Sequence, residues 1–301
     1  MLALAPLLTS GCITIKTRRT VKKEEIRPQL TASEEQVLAR YNEQARAVQT
    51  LQATVDLVPS TGSTYSGVIE EYHDVPGFIL AQRPATVRII GQAPVVAKNI
   101  FDMVSDGRNF QIYIPSKNMF LVGATSLVRP SKNPIENLRP QHIVEALFWP
   151  EITSTTTILF EQFDTDTNRY YILTVLRTVN AGKLEIARKI WFDRADLSAT
   201  RLQVYGSGGQ LDSDIAYSDW EPMETPSAPG VRTAAVTSSP ANGVRFPRDI
   251  HISRPQDDYK LEIRILKLSV DEPISADRFE LAQPPGTDLV HVGEESTGKQ
   301  P

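Results

Sequence analysis

The chain has 301 residues, of which 41% are hydrophobic and 23% charged, a composition typical of folded proteins rather than disordered or membrane-spanning ones. Its 36 acidic and 32 basic residues give a net charge of −4, and no basic block carries interleaved aromatic residues, which argues against a nucleic-acid partner. With one cysteine and four scattered histidines, a disulfide framework is excluded, and we expect neither a metal nor a cofactor.

The N-terminus contains the only cysteine, Cys12, directly after an apolar run at residues 2–8 and three small residues. The run is too short to cross a bilayer, which takes about 20 residues, but it fits the core of a signal peptide. Leu-Thr-Ser-Gly-Cys resembles a bacterial lipobox, although Thr9 stands where that motif has leucine. We therefore predict a signal peptide at residues 1–11, lacking its basic start, and a lipidated Cys12. The alternative is a soluble protein whose N-terminus happens to contain a cysteine.

Residues 12–32 follow as the lipidated cysteine and a tether. Five lysines and arginines lie between residues 16 and 23, with few large apolar side chains, so we predict a flexible arm. Ser33 and Gln36 then form a capping box, and apolar residues recur at three- and four-residue steps as far as Val55. This pattern predicts an amphipathic helix of about five turns.

After this helix the apolar period changes to two, which predicts strands. Short runs rich in β-branched and aromatic residues are separated by turn residues: Tyr65–Tyr72, Phe78–Gln82, Thr86–Gly91, Ile100–Ser105, Phe110–Ile114 and Met119–Val122. A second short helix is predicted from Pro140 to Trp149, because proline is favoured in a first turn.

The strands resume in the second half: Ile158–Gln162, Arg169–Thr178, Leu184–Asp193, Ala199–Tyr205, Ile215–Trp220, Ile250–Ser253 and Tyr259–Val270. A proline-rich loop is predicted at residues 221–243. In the last strand the apolar phase slips near Ile265, which predicts a β-bulge. The sum is a mainly β protein with a few helices, a single domain at 33–283 and a disordered tail at 284–301. An antiparallel sheet of about 11 to 12 strands must curl.

The strand segments 101–107, 110–115, 118–123, 190–193 and 201–205 resemble the LolA/LolB lipoprotein-carrier superfamily, and the order of elements matches over residues 33–283. The resemblance implies a curved half-barrel lidded by helices, with acyl chains of a lipid or lipoprotein held in the apolar space between them. A lipidated Cys12 brings the chain nearer to LolB in topology. We therefore expect a monomeric, non-enzymatic lipoprotein on the periplasmic face of the outer membrane, with a periplasmic carrier protein as a further partner.

Two groups of site residues follow from this resemblance. The strands predict an apolar cavity lined by Val87, Ile89, Phe101, Ile112, Ile114, Leu121, Leu173 and Trp191. A loop after a strand, which in LolB carries a proline followed by leucine and delivers lipid into the membrane, corresponds here to residues 91–96. Its predicted membrane-contacting residues are Pro94, Val95 and Val96.

Three alternatives remain open at this point. The helices could fill the half-barrel completely and leave a solid core, since cavities of this kind are lined by the residue types of ordinary cores. The scaffold could bind another protein, as in the envelope sensor RseB. The third alternative is a hydrolase whose serine–histidine–acid triad is assembled by the fold.

Overall fold

The computed structural model describes residues 28–63, 68–71, 74–95, 98–126, 139–165, 168–223 and 244–292. Cys12 and the predicted signal peptide lie outside the described residues, as do Val96 and most of the predicted 221–243 loop. The described part contains two α-helices, α1 (Glu34–Arg46) and α2 (Pro140–Leu147). Neither is long and apolar enough to cross a membrane.

Helix α1 begins with the predicted capping box. The backbone N–H of Gln36 donates to the Ser33 hydroxyl, and the N–H of Ser33 donates to the Gln36 side chain. The helix ends at Arg46, so the prediction that it continues to Val55 was wrong. Leu51 and Val55 are four residues apart, a spacing that fits one face of a helix and one face of a strand equally well. They belong to strand β1 (Thr50–Ser63), in which every second side chain is buried over residues 51–57.

The described strands number fifteen, which is more than we predicted, but all belong to one sheet as expected. In chain order they are β1 (Thr50–Ser63), β2 (Val68–Glu71), β3 (Val75–Gln82), β4 (Thr86–Gln92), β5 (Asn99–Ser105), β6 (Asn109–Ile114), β7 (Met119–Ala124), β8 (Thr157–Asp164), β9 (Arg169–Thr178), β10 (Leu184–Asp193), β11 (Ala199–Tyr205), β12 (Leu211–Pro222), β13 (Arg245–Arg254), β14 (Tyr259–Val270) and β15 (Asp288–His291).

The spatial order runs β15-β7-β6-β5-β4-β3-β1-β14-β13-β12-β11-β10-β9-β8, with β2 beside β1. The sheet is curved but its two edge strands, β15 and β8, do not pair, so it forms a half-barrel and not a closed barrel. Both helices pack on one side, which we call the core face, while the opposite side is the outer face. The predicted bulge is confirmed: Thr54 pairs with Lys267 but Val55 pairs with Ile265, so Leu266 is the extra residue. Ile265 and Val270 can therefore both be buried.

The C-terminal residues differ from the prediction. Residues 284–292 are not a disordered tail, because β15 adds to the sheet parallel to β7 and Val292 is buried in the core. Before β15, residues 271–287 cross the outer face, and we call this segment the strap. Arg88 holds it there: its Nη1 donates to the carbonyls of Arg278 (3.0 Å) and Glu280 (3.3 Å).

Candidate functional site

Six of the eight predicted cavity residues lie on the core face and are at most 5% exposed. They are Val87, Ile89, Ile112, Ile114, Leu121 and Leu173. Each packs into one continuous apolar core that also contains residues of both helices. These six side chains therefore point to the inside of the half-barrel.

The other two predicted cavity residues differ from these six. Phe101 lies on the core face but is only half-buried. Trp191 lies between the buried Ile190 and Phe192 and points to the outer face, because successive side chains of a strand alternate. Its ring meets the ring of Tyr170 at 5.6 Å. Trp191 therefore does not line the inside of the half-barrel.

An aromatic cluster fills the space between the helices and the sheet. Trp149, just after α2, stacks on Tyr41 of α1 at 5.6 Å and meets the edge of Tyr217 at 5.4 Å. The indole N–H donates to the Tyr217 hydroxyl at 3.0 Å, and that hydroxyl donates to the Ala146 carbonyl at 2.9 Å. Trp220 closes the group at 6.1 Å from Trp149.

Two small voids border this cluster, each of about 10 Å³, one beside Val48 and Phe246 and the other beside Phe192. Small-molecule sites usually measure about 300–1,000 Å³. Neither of these two voids therefore has room for an acyl chain. In this conformation the apolar core and the aromatic cluster pack between the helices and the sheet, as in the solid-core alternative.

A buried polar group ties α2 to the far strands of the sheet. The Ser213 hydroxyl accepts from Arg254 at 2.6 Å and donates to the Glu145 carboxylate at 3.1 Å. Arg254 also donates to Asp257 at 2.7 Å. Burial raises the pKa of Glu145, and the positive charge of Arg254 opposes that increase. The group therefore links α2 to β12 and β13, and removal of one partner would leave a buried charge unpaired.

His142 lies in the same region but belongs to a different pair. Its Nδ1 makes a short hydrogen bond with the Tyr259 hydroxyl, and the two rings stack. Burial is the main cause of a pKa well below the usual histidine value, and the charges of Arg254 and Arg139 lower it further. The buried serine at 213 bonds instead to Glu145 and Arg254, so these residues do not form the serine–histidine–acid arrangement of a hydrolase.

The predicted membrane-contacting loop connects β4 to β5. The N–H of Ala93 donates to the Lys98 carbonyl at 2.9 Å and closes the base of the loop. Pro94 is exposed, and Val95 is 94% exposed. An aliphatic side chain is therefore presented almost completely to the surroundings.

A groove on the outer face was not predicted. It has a volume of about 480 Å³ and lies between the strap and strands β1, β3, β4 and β14. We call it the outer groove, and its lining includes Phe78, Leu80, Ile90, Lys267 and Arg278. Its sequence signal was the apolar residues of β3 and β4 that fall out of phase with the core. Among the residues that the structure describes, no group of His, Cys, Asp and Glu could hold a metal ion.

No family model and no curated protein matches the chain at the level of sequence. Solved structures do match. A DUF1329 family protein from Desulfovibrio piger shares 15% identity at a TM-score of 0.50, covering 81% of this chain and 94% of that one. A LolA superfamily protein from Nitrosomonas europaea shares 10% identity at 0.48, covering 83% and 99%. A putative outer membrane lipoprotein-sorting protein domain from Vibrio parahaemolyticus shares 9% identity at 0.44, covering 80% and 95%.

At these identities the likeness is one of fold alone. The mainly β architecture that the sequence predicted is present: one large curved, unclosed and largely antiparallel sheet with two helices on its core face. That prediction is confirmed for the fold.

Proposed function

We propose that this chain is a lipid-anchored protein on the periplasmic face of the outer membrane, which binds an acylated lipid or lipoprotein and passes it to the bilayer. The LolA/LolB-like fold supports an envelope carrier. The observation that carries the proposal is the exposure of Val95 in the β4–β5 loop. Cys12 would supply the anchor, at about 0.8 kcal/mol per buried CH₂ of its acyl chains.

The loop would work by differential burial. A valine side chain gains about 1.5 kcal/mol or more when it moves from water into an apolar phase. Pro94 restricts the backbone directly before it, so less conformational freedom is lost on insertion. A loop of this kind guides cargo to the bilayer surface, and the cargo's acyl chains then move to the environment of lower free energy.

The filled core face sets a condition on where the cargo can bind. For an acyl chain to reach Ile89, Leu121 or Leu173, the helices must first move away from the sheet. Helix α1 is held by the Tyr41 hydroxyl, which donates to the Pro150 carbonyl at 2.8 Å, and by two 2.9 Å hydrogen bonds between Asn42 and the backbone of Ile152. In this proposal the described conformation is the closed one.

The test uses the lipidated full chain reconstituted in vesicles of phosphatidylethanolamine and phosphatidylglycerol. Mass spectrometry first checks that Cys12 is acylated, and an unmodified cysteine would contradict the anchor. In the acylated protein, Val95→Cys provides the only free thiol for an environment-sensitive dye. We expect a blue-shifted emission that spin-labelled lipid quenches. Leu184→Cys, at an exposed hairpin residue, is the matched control and stays unquenched.

Transfer is then measured with a fluorescent triacylated lipopeptide. We expect Val95→Asp to slow its delivery to vesicles without changing its binding to the protein, and Val95→Leu to preserve delivery. Equal rates for Val95→Asp and the unaltered protein would mean that the loop has no part in transfer.

A second candidate function is favoured by the filled core face: a protein-binding envelope sensor or assembly factor on the same scaffold. The two candidates differ in whether the acyl chain itself is bound. Binding of the triacylated lipopeptide but not of the same peptide without acyl chains supports the carrier. Equal affinity for both peptides supports the protein-binding candidate.

A further inference from the structure

The floor of the outer groove is apolar where an exposed sheet face is normally polar. Phe78 of β3 lies directly opposite Ile90 of β4, and Leu80 is the next outer-face residue of β3. Phe78 is 43% exposed, whereas Leu80 is buried at one side of the groove. On the strands β11 and β12, comparable outer positions hold Gln203 and Asp214. Solvent exposure alone therefore does not explain the apolar floor.

The strap forms one wall of the outer groove, and contacts within the protein hold it in place without a ligand. Arg88 makes a bidentate ion pair with the buried Asp102, at 3.0 and 2.7 Å. Its remaining nitrogen holds the strap through the carbonyls of Arg278 and Glu280. Paired guanidinium and carboxylate groups in this fork geometry fix both position and direction. The groove is thus a preformed feature, which lowers the entropic cost of binding.

Two cations border this apolar floor. Lys267 makes no ion pair or hydrogen bond with any described residue, and it is exposed. Arg278 donates to the neutral amide of Gln52 at 2.9 Å, and Gln52 in turn donates to Glu272 at 3.4 Å. Within the described ranges neither cation meets a carboxylate at ion-pair distance. The rim therefore complements an anionic group.

The geometry points to a binding site for a single acyl chain with an anionic head, either a carboxylate or a phosphate. The chain would cover Phe78 and Ile90, and the head would lie at Lys267 and Arg278. The volume of about 480 Å³ falls within the usual range for small-molecule sites. This inference rests on the proposed function, in which the cargo is acylated, and it places the chain where no helix has to move.

The test is a fluorescence titration of the full chain carrying Cys12→Ser, with a dansyl-labelled fatty acid as the probe. Phe78→Asp introduces a charge into the floor, and we expect the dissociation constant to rise at least about tenfold, because an apolar contact is lost and a carboxylate is added near the chain. Leu159→Asp is the matched control: Leu159 is 50% exposed on the outer face of β8, and its substitution should change nothing. Circular dichroism checks that both variants fold.

The head is tested with Lys267→Gln against Lys260→Gln, an exposed lysine on the same strand. We expect Lys267→Gln to weaken the fatty acid about fivefold, as for a partly desolvated charge pair. Competition by lysophosphatidylglycerol and by lysophosphatidylcholine separates an anionic phosphate from a zwitterionic head. Stronger competition by the anionic lipid supports a phosphate source, and weak competition by both leaves a carboxylate as the head.

The place where the fatty acid binds is tested with Ser269→Cys in the Cys12→Ser chain, which then has one thiol. A dye at this groove residue should shift to the blue when the fatty acid binds. Probe binding that neither Phe78→Asp nor Lys267→Gln changes, with no dye shift, overturns the groove while leaving the carrier function standing. Binding of the lipopeptide without binding of the fatty acid would also overturn the groove and leave the carrier function standing. If neither ligand binds, the groove and the carrier both fail, and an apolar peptide becomes the better occupant.

Discussion

Trp149→Ala is the substitution that probes most directly how the half-barrel is filled. Trp149 is 5% exposed and contacts the rings of Tyr41, Tyr217 and Trp220. Truncation of a buried tryptophan usually costs about 3–5 kcal/mol, and each aromatic pair adds about 0.5–1.5 kcal/mol beyond the buried area. One hydrogen bond is lost, but the Tyr217 hydroxyl keeps its partner at the Ala146 carbonyl. We expect a loss of about 4 kcal/mol in the free energy of unfolding.

The assay is urea denaturation followed by far-UV circular dichroism, with a thermal melt beside it. In a domain of this size, about 4 kcal/mol corresponds to a fall of roughly 10 °C in Tm. Trp191→Ala is the control, because Trp191 is half-buried on the outer face and should cost less than half as much. A loss below about 1.5 kcal/mol for Trp149→Ala, or one no larger than the control's, would refute the argument that this cluster fills the core face.

Three further predictions concern stability. Folding lowers the pKa of His142 from its ordinary value of 6.5. Below about pH 6.5 the unfolded chain therefore binds a proton that the folded chain does not. The free energy of unfolding then falls as the pH drops, by up to about 1.4 kcal/mol per pH unit. His142→Gln should remove this slope in urea titrations at several pH values, whereas His251→Gln, at an exposed residue, should keep it. Gly91→Ala would place a Cβ against the ring of Phe101, so we expect a loss of about 1–3 kcal/mol that Phe101→Ala partly restores in a double-mutant cycle. Ser33→Ala removes the helix cap and should cost about 1 kcal/mol in a thermal melt; an unchanged Tm would mean that the cap does not hold α1.

Much of the fold could be predicted because most strands carry their own local signal. The boundaries of β10, β11 and β14 agree with the sequence prediction at both ends, and the phase slip in β14 located its bulge. The prediction failed at β1, where Leu51 and Val55 suit a helix as well as a strand. It is the pairing of β1 with β3 and β14, distant in sequence, that decides between the two, and local propensity does not contain that information.

The prediction of a disordered C-terminal tail failed for a related reason. The strap contains three prolines, β15 has only four residues, and both are held by partners far away in the chain. Arg88 binds the strap, and the N–H of Asp288 donates to the Asn118 carbonyl at 2.8 Å. Outer-face residues Val104 and Phe120 are buried although they lie outside the main apolar core. These two positions are apolar because the C-terminal segment covers the outer face.

The prediction of the candidate site was limited in the same way, because local sequence patterns do not show which residues fill the half-barrel. Seven of the eight residues predicted to line the cavity lie on the core face, and six of them are buried there as core residues. Whether the inside of the half-barrel is a cavity depends on residues outside the strands: Trp149 follows a helix, and Tyr41 lies on another. The same large aromatic side chains that stabilise the closed helices also remove the space for a ligand. An acyl chain must then either displace them, at a cost of several kcal/mol, or bind where the apolar surface is already open. On the outer face, Phe78 and Ile90 meet that second condition with two cations beside them.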